Sequence, residues 1–310
     1  MASVSATRVP KPDVAITAAP AMPRPVGSVT LPVMVPDVVS WATVGVHSSA
    51  VAISMVTTEI VARLRDVYDA RVDLLTPEDR TLELGHLGAE HDVYVLKAKT
   101  PMTLAVAGAA AAAGARVINS FESSTLTRDK LATTAVLAAS GVPLPPSWAT
   151  GRPELLRHVL DRGPLWIKPQ RGSQGHGVRR LTSTAEFDGA ACSARDAYGL
   201  PVPVFAQQDV PSGGRDLKVY VVGEQMWAIT RPFPARTLEE KLGAPCRVPP
   251  LIREAAVACG RALGLELYGV DFLVAGDQFF AVDVNALPGY KGVPEAPAAI
   301  ADYVYERTSP

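Results

Sequence analysis

Short apolar runs at residues 41–46, 71–75, 92–96 and 116–118 alternate with stretches of helical periodicity, and this alternation constrains the fold more than any other feature. Between the first two runs, Ile53, Val56, Ile60, Val61 and Leu64 recur at helical spacing. Between the last two, Thr100-Pro101 opens a helix through Ala113, with proline near its first turn and Gly114 closing it. Strands separated by helices read as βαβ units, so a small parallel sheet with helices on its faces is expected. No G-x-G-x-x-G follows the first run, which argues against a dinucleotide site there.

The pattern changes after residue 126. Residues 127–140 read as a helix with Thr127 as N-cap and Gly141 as its stop. Strands are expected at 165–169, 177–181, 202–208, 217–222 and 225–230, the last two joined by a tight turn at Val222-Gly223-Glu224-Gln225. A helix at 250–263 ends at Gly264, and strands at 267–274 and 279–284 pair around Gly276-Asp277. This half is a mixed α+β layer dominated by antiparallel hairpins.

A chain of 310 residues suits about two domains. With Lys plus Arg at 30 and Asp plus Glu at 31, the net charge is -1, which excludes a globally basic nucleic-acid binder. No apolar run reaches the roughly 18 to 20 residues that span a bilayer, so no membrane segment is expected. Cys192, Cys246 and Cys259 are far apart and odd in number. They fit burial in a reducing cytoplasm and form neither a disulfide framework nor a zinc spacing. The first forty residues hold seven prolines, which interrupt every candidate signal segment. Residues 1–40 are expected to be a disordered Pro-rich extension.

Two segments carry chemistry. In the first, Lys168-Pro169 ends a strand and leads into Gln170-Arg171-Gly172-Ser173-Gln174-Gly175-His176-Gly177. Glycines let backbone N–H groups approach a polyphosphate, and the lysine supplies a charge beside it. The lysine precedes the glycines, so this is no Walker loop, and a glycine hairpin beside a solvated lysine would read the same way. In the second, Asp271 interrupts an apolar strand, while Asp283 and Asn285 sit two apart on the partner strand and share a face. Three oxygen donors converging from two strands suit Mg²⁺. A carboxylate inside an apolar run needs a partner if buried.

In this order the segments resemble the ATP-grasp superfamily over roughly residues 119–304. The resemblance rests on Arg128-Asp129-Lys130, Ile167-Lys168-Pro169 with its glycine loop, Ala206-Gln207-Gln208-Asp209-Val210, Gly269-Val270-Asp271, and Asp283-Val284-Asn285 with Pro288-Gly289. It implies an α/β N-terminal parallel-sheet domain at 41–122, followed by a two-subdomain α+β ATP-grasp fold. The central subdomain would be 123–200 and the C-terminal one 201–310. It implies ATP and Mg²⁺ as cofactors, with Mn²⁺ as an alternative ion. Lys130 and Lys168 match the phosphate-contacting lysines, and Gly172, Ser173, Gln174, Gly175, His176 and Gly177 match the loop covering the phosphates. Gln208, Asp209 and Val210 match the hinge that binds adenine through its backbone. Asp216 matches the ribose-binding acid, with Lys218 in the same nucleotide-facing segment. Asp271, Asp283 and Asn285 match the metal ligands, and Arg231 matches a basic residue near the transferred phosphate. Gln208 and Asp283 stand where many members have glutamate. Lys97 and Gly289 are further candidates for substrate contact.

Two branches share this machinery. The Lys168 segment is similar to RimK-type carboxylate–amine ligases. Residues 217–223, 230–232 and 283–290 are closer to inositol 1,3,4-trisphosphate 5/6-kinases. A pocket for several phosphates should collect many basic residues. The first N-terminal loop, His47-Ser48-Ser49-Ala50, is uncharged, and the helix after it has no basic residue before Arg63. The expectation is therefore a ligase joining a small carboxylate, an amino acid or peptide, to an amine. It would act on small-molecule substrates, without nucleic acid or membrane, in the cytoplasm, with a homodimer expected from the family.

Overall fold

In the computed structural model, residues 13–16, 55–83, 91–97, 100–172, 177–189 and 203–308 are described. The chain divides into two units, Met1–Phe121 with Pro294–Pro310, and Glu122–Val293.

The first unit contains a four-stranded parallel sheet. Its strands are β1 (Asp13–Ile16), β2 (Arg71–Leu74), β3 (Val93–Val95) and β4 (Arg116–Ile118), in the order β2-β1-β3-β4. Helices α1 (Met55–Asp66) and α2 (Pro101–Ala112) lie between strands in the chain. The Thr100 side chain accepts from Thr103 N at 3.1 Å, and Pro101 takes a first-turn position where no intrahelical donor is needed. The parallel sheet agrees with the sequence, but its β1 is a correction. Asp13–Ile16 falls inside the extension expected to be disordered, yet it pairs on both sides. Pro12 and Pro20 bracket this four-residue run and hide its strand character. The expected strand at 41–46 lies outside the described residues.

The C-terminal helix α8 (Ala296–Glu306) was not legible and groups with the first unit, although residues 201–310 were expected to form one subdomain. It packs on α1. Arg63 donates through Nε and Nη2 to the Asp302 carboxylate at 2.5 and 2.9 Å, Tyr68 Oη donates to the same carboxylate at 2.8 Å, and the Tyr68 and Tyr305 rings stack. These hydrogen bonds hold the Asp302 carboxyl below its ordinary pKa.

The second unit begins with two consecutive helices. α3 (Phe121–Leu126) starts at the unit boundary, and α4 (Lys130–Ala139) is capped by Asp129, which accepts from Leu131 N and Ala132 N at 3.0 and 3.1 Å. This corrects the expected cap at Thr127, whose hydroxyl instead donates to Ser123 O in the preceding turn. A four-stranded antiparallel sheet follows, built from β5 (Ser147–Thr150), β6 (Leu165–Pro169), β7 (Arg179–Leu181) and β8 (Val204–Gln208) in the order β5-β8-β6-β7. A 3-10 segment at Pro153–Arg162 places Leu156 and Val159 in this sheet's core. A short helix, α5 (Thr184–Gly189), comes after β7.

The larger sheet has five antiparallel strands: β9 (Arg215–Val222), β10 (Gln225–Pro232), β11 (Ala244–Cys246), β12 (Leu267–Ala275) and β13 (Gln278–Ala286), in the order β11-β10-β9-β12-β13. One of its faces is covered by α4 and by α7 (Pro250–Leu263). Helix α7 buries Ile252, Ala255, Ala256, Cys259 and Leu263 at helical spacing against Val219, Val221 and Val270. Between β10 and β11 lies a short helix, α6 (Leu238–Leu242). Cys259 is buried, Cys246 is half-buried, and Cys192 lies outside the described residues. No described helix is long and apolar enough to cross a membrane.

Gly260 marks the tightest contact of α7 with this sheet. A Cβ there would stand 2.2 Å from Tyr268 Oη, which donates to Ala256 O at 3.0 Å. Gly260→Ala is expected to lower stability by about 1–2 kcal/mol, because overpacking outweighs the gain in helix propensity. Urea unfolding measures it, and an unchanged or raised midpoint would remove the contact from the account.

Candidate functional site

The face of the five-stranded sheet opposite α7 carries most of the charge. Alternation along β9 puts Asp216, Lys218 and Tyr220 on one side. Register then aligns Arg231 with Asp216, and Asp271 with Lys218 on one flank and Asp283 on the other. The sequence-predicted Asp216, Lys218, Arg231, Asp271, Asp283 and Asn285 therefore come together on one face.

Arg231 Nε donates to Asp216 Oδ1 at 2.8 Å, and Nη2 donates to Oδ2 at 2.8 Å. The Asp216 side chain is 3% exposed, so this bidentate pair engages both its oxygens. Burial pushes the Asp216 carboxyl upward while Arg231 opposes it, and burial of Arg231 is outweighed by Asp216 and Asp271, which keep it charged. The Asp216 carboxylate thus orients Arg231. Arg231 Nη2 also lies 3.4 Å from Asp271 Oδ1, where Lys218 Nζ binds as well.

A second group forms beside it. Opposite Asp271 and Phe272, β13 presents Asp283 and Ala281, so Val282 is the extra residue of a bulge. Lys168, on β6, donates to Val282 O at 3.3 Å and to Gln207 Oε1 at 2.8 Å. Burial lowers its pKa to about 8, against the opposing attraction of Asp283. Lys130 is fixed by its place one residue after the cap of α4. Its backbone N–H donates to Gln170 O at 3.0 Å, its Nζ donates to Gly172 O at 3.2 Å, and the same Nζ lies 3.6 Å from Asp283 Oδ1. Burial raises the Asp283 pKa, but Lys130 and Lys168 pull it below the ordinary carboxylate value. A narrow pocket lies here, lined by Lys130, Thr133, Phe205, Gln207, Val282 and Asp283.

The donor chemistry fits a hard divalent cation. Asp271 and Asp283 face each other across β12 and β13, and Asn285 Nδ2 donates to Asp283 Oδ2 at 2.9 Å, which leaves the amide oxygen as a donor. Among the described residues no group of three or more His, Cys, Asp or Glu side chains could hold a metal. A cation here would depend on two carboxylates, one amide and oxygens brought by a ligand.

The remaining expected residues separate. Gln208 N and Asp209 N already donate to Pro146 O and Pro164 O, at 2.8 and 2.9 Å. The Gln208 side chain donates to Pro164 O, and Asp209 accepts from Trp166 Nε1 and Arg180 Nη2 at 2.6 and 2.7 Å. These bonds tie the expected hinge to its own sheet. Gly177 is left-handed, at φ 72°, and lies against Pro169. Ser173, Gln174, Gly175 and His176 lie outside the described residues. Lys97 follows β3 in the first unit. Gly289 is open, with Lys291 as its nearest neighbour. Sequence reasoning quoted Gln207 only as part of the 206–210 segment and gave it no role, and it missed the Val282 bulge, which had no signal.

The family described as inositol 1,3,4-trisphosphate 5/6-kinase ATP-grasp domain matches residues 235–306. A protein of Alkalilimnicola ehrlichii named "Probable alpha-L-glutamate ligase" is 33% identical over 54% of this chain and 58% of its own length. The ribosomal protein bS6–L-glutamate ligase of Escherichia coli is 30% identical over the same shares. The chain thus spans less than two thirds of the length of these curated relatives. The solved RimK domain protein ATP-grasp of Sphaerobacter thermophilus superposes with a TM-score of 0.67 at 16% identity, covering 84% of this chain and 97% of that one. The likeness to the solved structures gives the chain an ATP-grasp fold.

The lowered pKa of Lys168 has a direct test. The folded state binds this proton less tightly than the unfolded chain, so this residue makes the fold gain stability as pH rises from about 8 toward 10.5. In a ¹³Cε-lysine NMR titration, one resonance should titrate near pH 8 and vanish in Lys168→Arg. Lysines that all titrate above pH 10 would contradict the burial argument.

Proposed function

We propose that the protein is an ATP- and Mg²⁺-dependent ligase that joins a small carboxylate, an amino acid or peptide, to an amine through an acylphosphate, releasing ADP and phosphate. The observation that carries this reading is the single charged face on which Lys168, Lys130, Asp283, Asp271, Lys218 and Arg231 meet. The ligase names of the relatives support it. In this reading the two sheets of the second unit are the two ATP-grasp subdomains and the first unit is the domain that precedes them. A cytoplasmic, homodimeric enzyme is the accompanying expectation.

Each residue then has a task. Lys130 and Lys168 hold phosphate oxygens, and their present partners, the carbonyls of Gly172 and Val282 and the amide of Gln207, keep both side chains oriented before the nucleotide arrives. Asp271, Asp283 and Asn285 would hold Mg²⁺, which when bound neutralises phosphate charge. Arg231, fixed by Asp216, faces the migrating phosphoryl group and stabilises the charge that builds on it. The acceptor carboxylate oxygen bonds to the γ-phosphorus as the bond to ADP breaks. The amine then attacks the acyl carbon, phosphate leaves, and the amine's proton passes to solvent or phosphate.

A second reading has its own observation. The kinase-family match at 235–306 includes Asp271, Asp283 and Asn285, and it fits transfer of the γ-phosphate to a hydroxyl. An assay of both products separates the two. The ligase reading predicts free phosphate equal to ADP, requiring a carboxylate and an amine together. ADP formed with a phosphorylated alcohol, and without free phosphate, would replace it with the kinase. Arg231→Lys should lower kcat about 10²- to 10³-fold while changing the KM for ATP only slightly, since a bidentate, oriented charge is lost. Unchanged kcat would take Arg231 out of the reaction.

A further inference from the structure

Metal-assisted phosphoryl transfer uses one divalent ion or a pair about 3.5–4 Å apart. The number a site can take depends on what already surrounds its donors. The two carboxylates at the centre of the charged face differ in this respect. Asp271 Oδ1 accepts from Lys218 Nζ and lies 3.4 Å from Arg231 Nη2. Asp283 Oδ2 accepts from the Asn285 amide at 2.9 Å, and Lys130 Nζ stands 3.6 Å from Oδ1, beyond a direct hydrogen bond. The Asp271 side chain is 15% exposed and that of Asp283 is 35% exposed, so an ion from solvent approaches Asp283 more easily.

The ammonium on Asp271 is set in place by register. Lys218 and Asp271 are opposite residues of β9 and β12, so their side chains leave the sheet side by side. The Lys218 side chain is buried, and its Nζ lies 5.6 Å from the centre of the Tyr220 ring, two residues on along the same face. Tyr220 packs in turn on the Tyr290 ring, with centres 5.2 Å apart, and the buried Tyr290 hydroxyl donates to Val221 O at 2.8 Å. On the other side, Arg231 is held by its two bonds to Asp216, both at 2.8 Å. Neither cation can withdraw from Asp271 Oδ1 without giving up these contacts. Lys130 is different: its Nζ is tied by a 3.2 Å bond to the carbonyl of Gly172, at the edge of the site, and it can give way to an ion at Asp283.

An ion on Asp271 Oδ1 would stand directly against an ammonium and a guanidinium, where burial leaves like charges poorly screened. We propose that this face takes a single divalent cation, held by Asp283, Asn285 and the second oxygen of Asp271, and that Lys218 supplies the positive charge that another ion would bring. Lys218 is thereby a positioning residue. It acts through Asp271, by fixing which of the two carboxylate oxygens is left for the ion. This rests on the reading of the face as a Mg²⁺–nucleotide site, which the ligase and kinase readings share.

The test counts ions and does not depend on turnover. The full chain is dialysed to equilibrium against Mn²⁺ and a slowly hydrolysed ATP analogue, and bound Mn²⁺ is measured per bound nucleotide. The wild type should saturate at one, Lys218→Met at two, and Lys218→Arg, which keeps the charge, at one. The electron paramagnetic resonance spectrum should show spin–spin broadening in Lys218→Met alone, since only there do two ions lie about 3.5–4 Å apart. Circular dichroism checks that the variants are folded, and Lys218→Gln is the second neutral variant should Lys218→Met not fold. Two Mn²⁺ per nucleotide in the wild type would overturn the proposal while leaving the nucleotide site standing. One Mn²⁺ in the wild type and in a folded neutral variant would take Lys218 out of the ion count and overturn it equally. No binding of the nucleotide to the wild type, with or without Mn²⁺, would sink the nucleotide reading and the proposal with it.

Discussion

Two carboxylates facing each other across adjacent strands are the constraint to which the rest of the second unit answers. Asp271 and Asp283 are opposite residues of an antiparallel pair, on a sheet whose other face is sealed by α4 and α7. Like charges in that position repel, and partial burial makes the repulsion costly. The fold answers with Lys218 and Arg231 at Asp271, and with Lys130 and Lys168 around Asp283. These cations come from four separate stretches of chain, so the site exists only when both sheets and α4 are assembled. Breaking any one pair would leave a charge insufficiently compensated.

The same balance suits the proposed chemistry. Lysines that neutralise carboxylates in the free protein can turn to phosphate oxygens once a divalent cation takes their place. Arg231 is different, since both oxygens of the buried Asp216 fix its plane. It is the most preorganised cation of the row, which suits stabilising charge that appears only during transfer.

Much of this was legible in the sequence because it depends on local pattern. Asp271 could be read from its interruption of an apolar strand, and Asp283 with Asn285 from period-two alternation. The parallel sheet followed from the alternation of strands and helices. What could not be read depends on distant partners. Only the register of β9 with β10 shows that Asp216 is paired with Arg231. The cap of α4 moved from Thr127 to Asp129 because an extra helical turn precedes it. Strand β1 was hidden because four residues between prolines carry too short a pattern, and α8 because its grouping with the first unit is set by Arg63 and Tyr68, far away in the chain.

The central claim is that the paired carboxylates hold a divalent cation together with the phosphates of ATP. Calorimetric titration of a slowly hydrolysed ATP analogue, with and without Mg²⁺, into the wild type and into Asp271→Asn, Asp283→Asn tests it most directly. The account predicts Mg²⁺-enhanced binding to the wild type, and loss of that enhancement in the variant while circular dichroism stays unchanged. No nucleotide binding to the wild type, or an equal response to Mg²⁺ in both proteins, would contradict it.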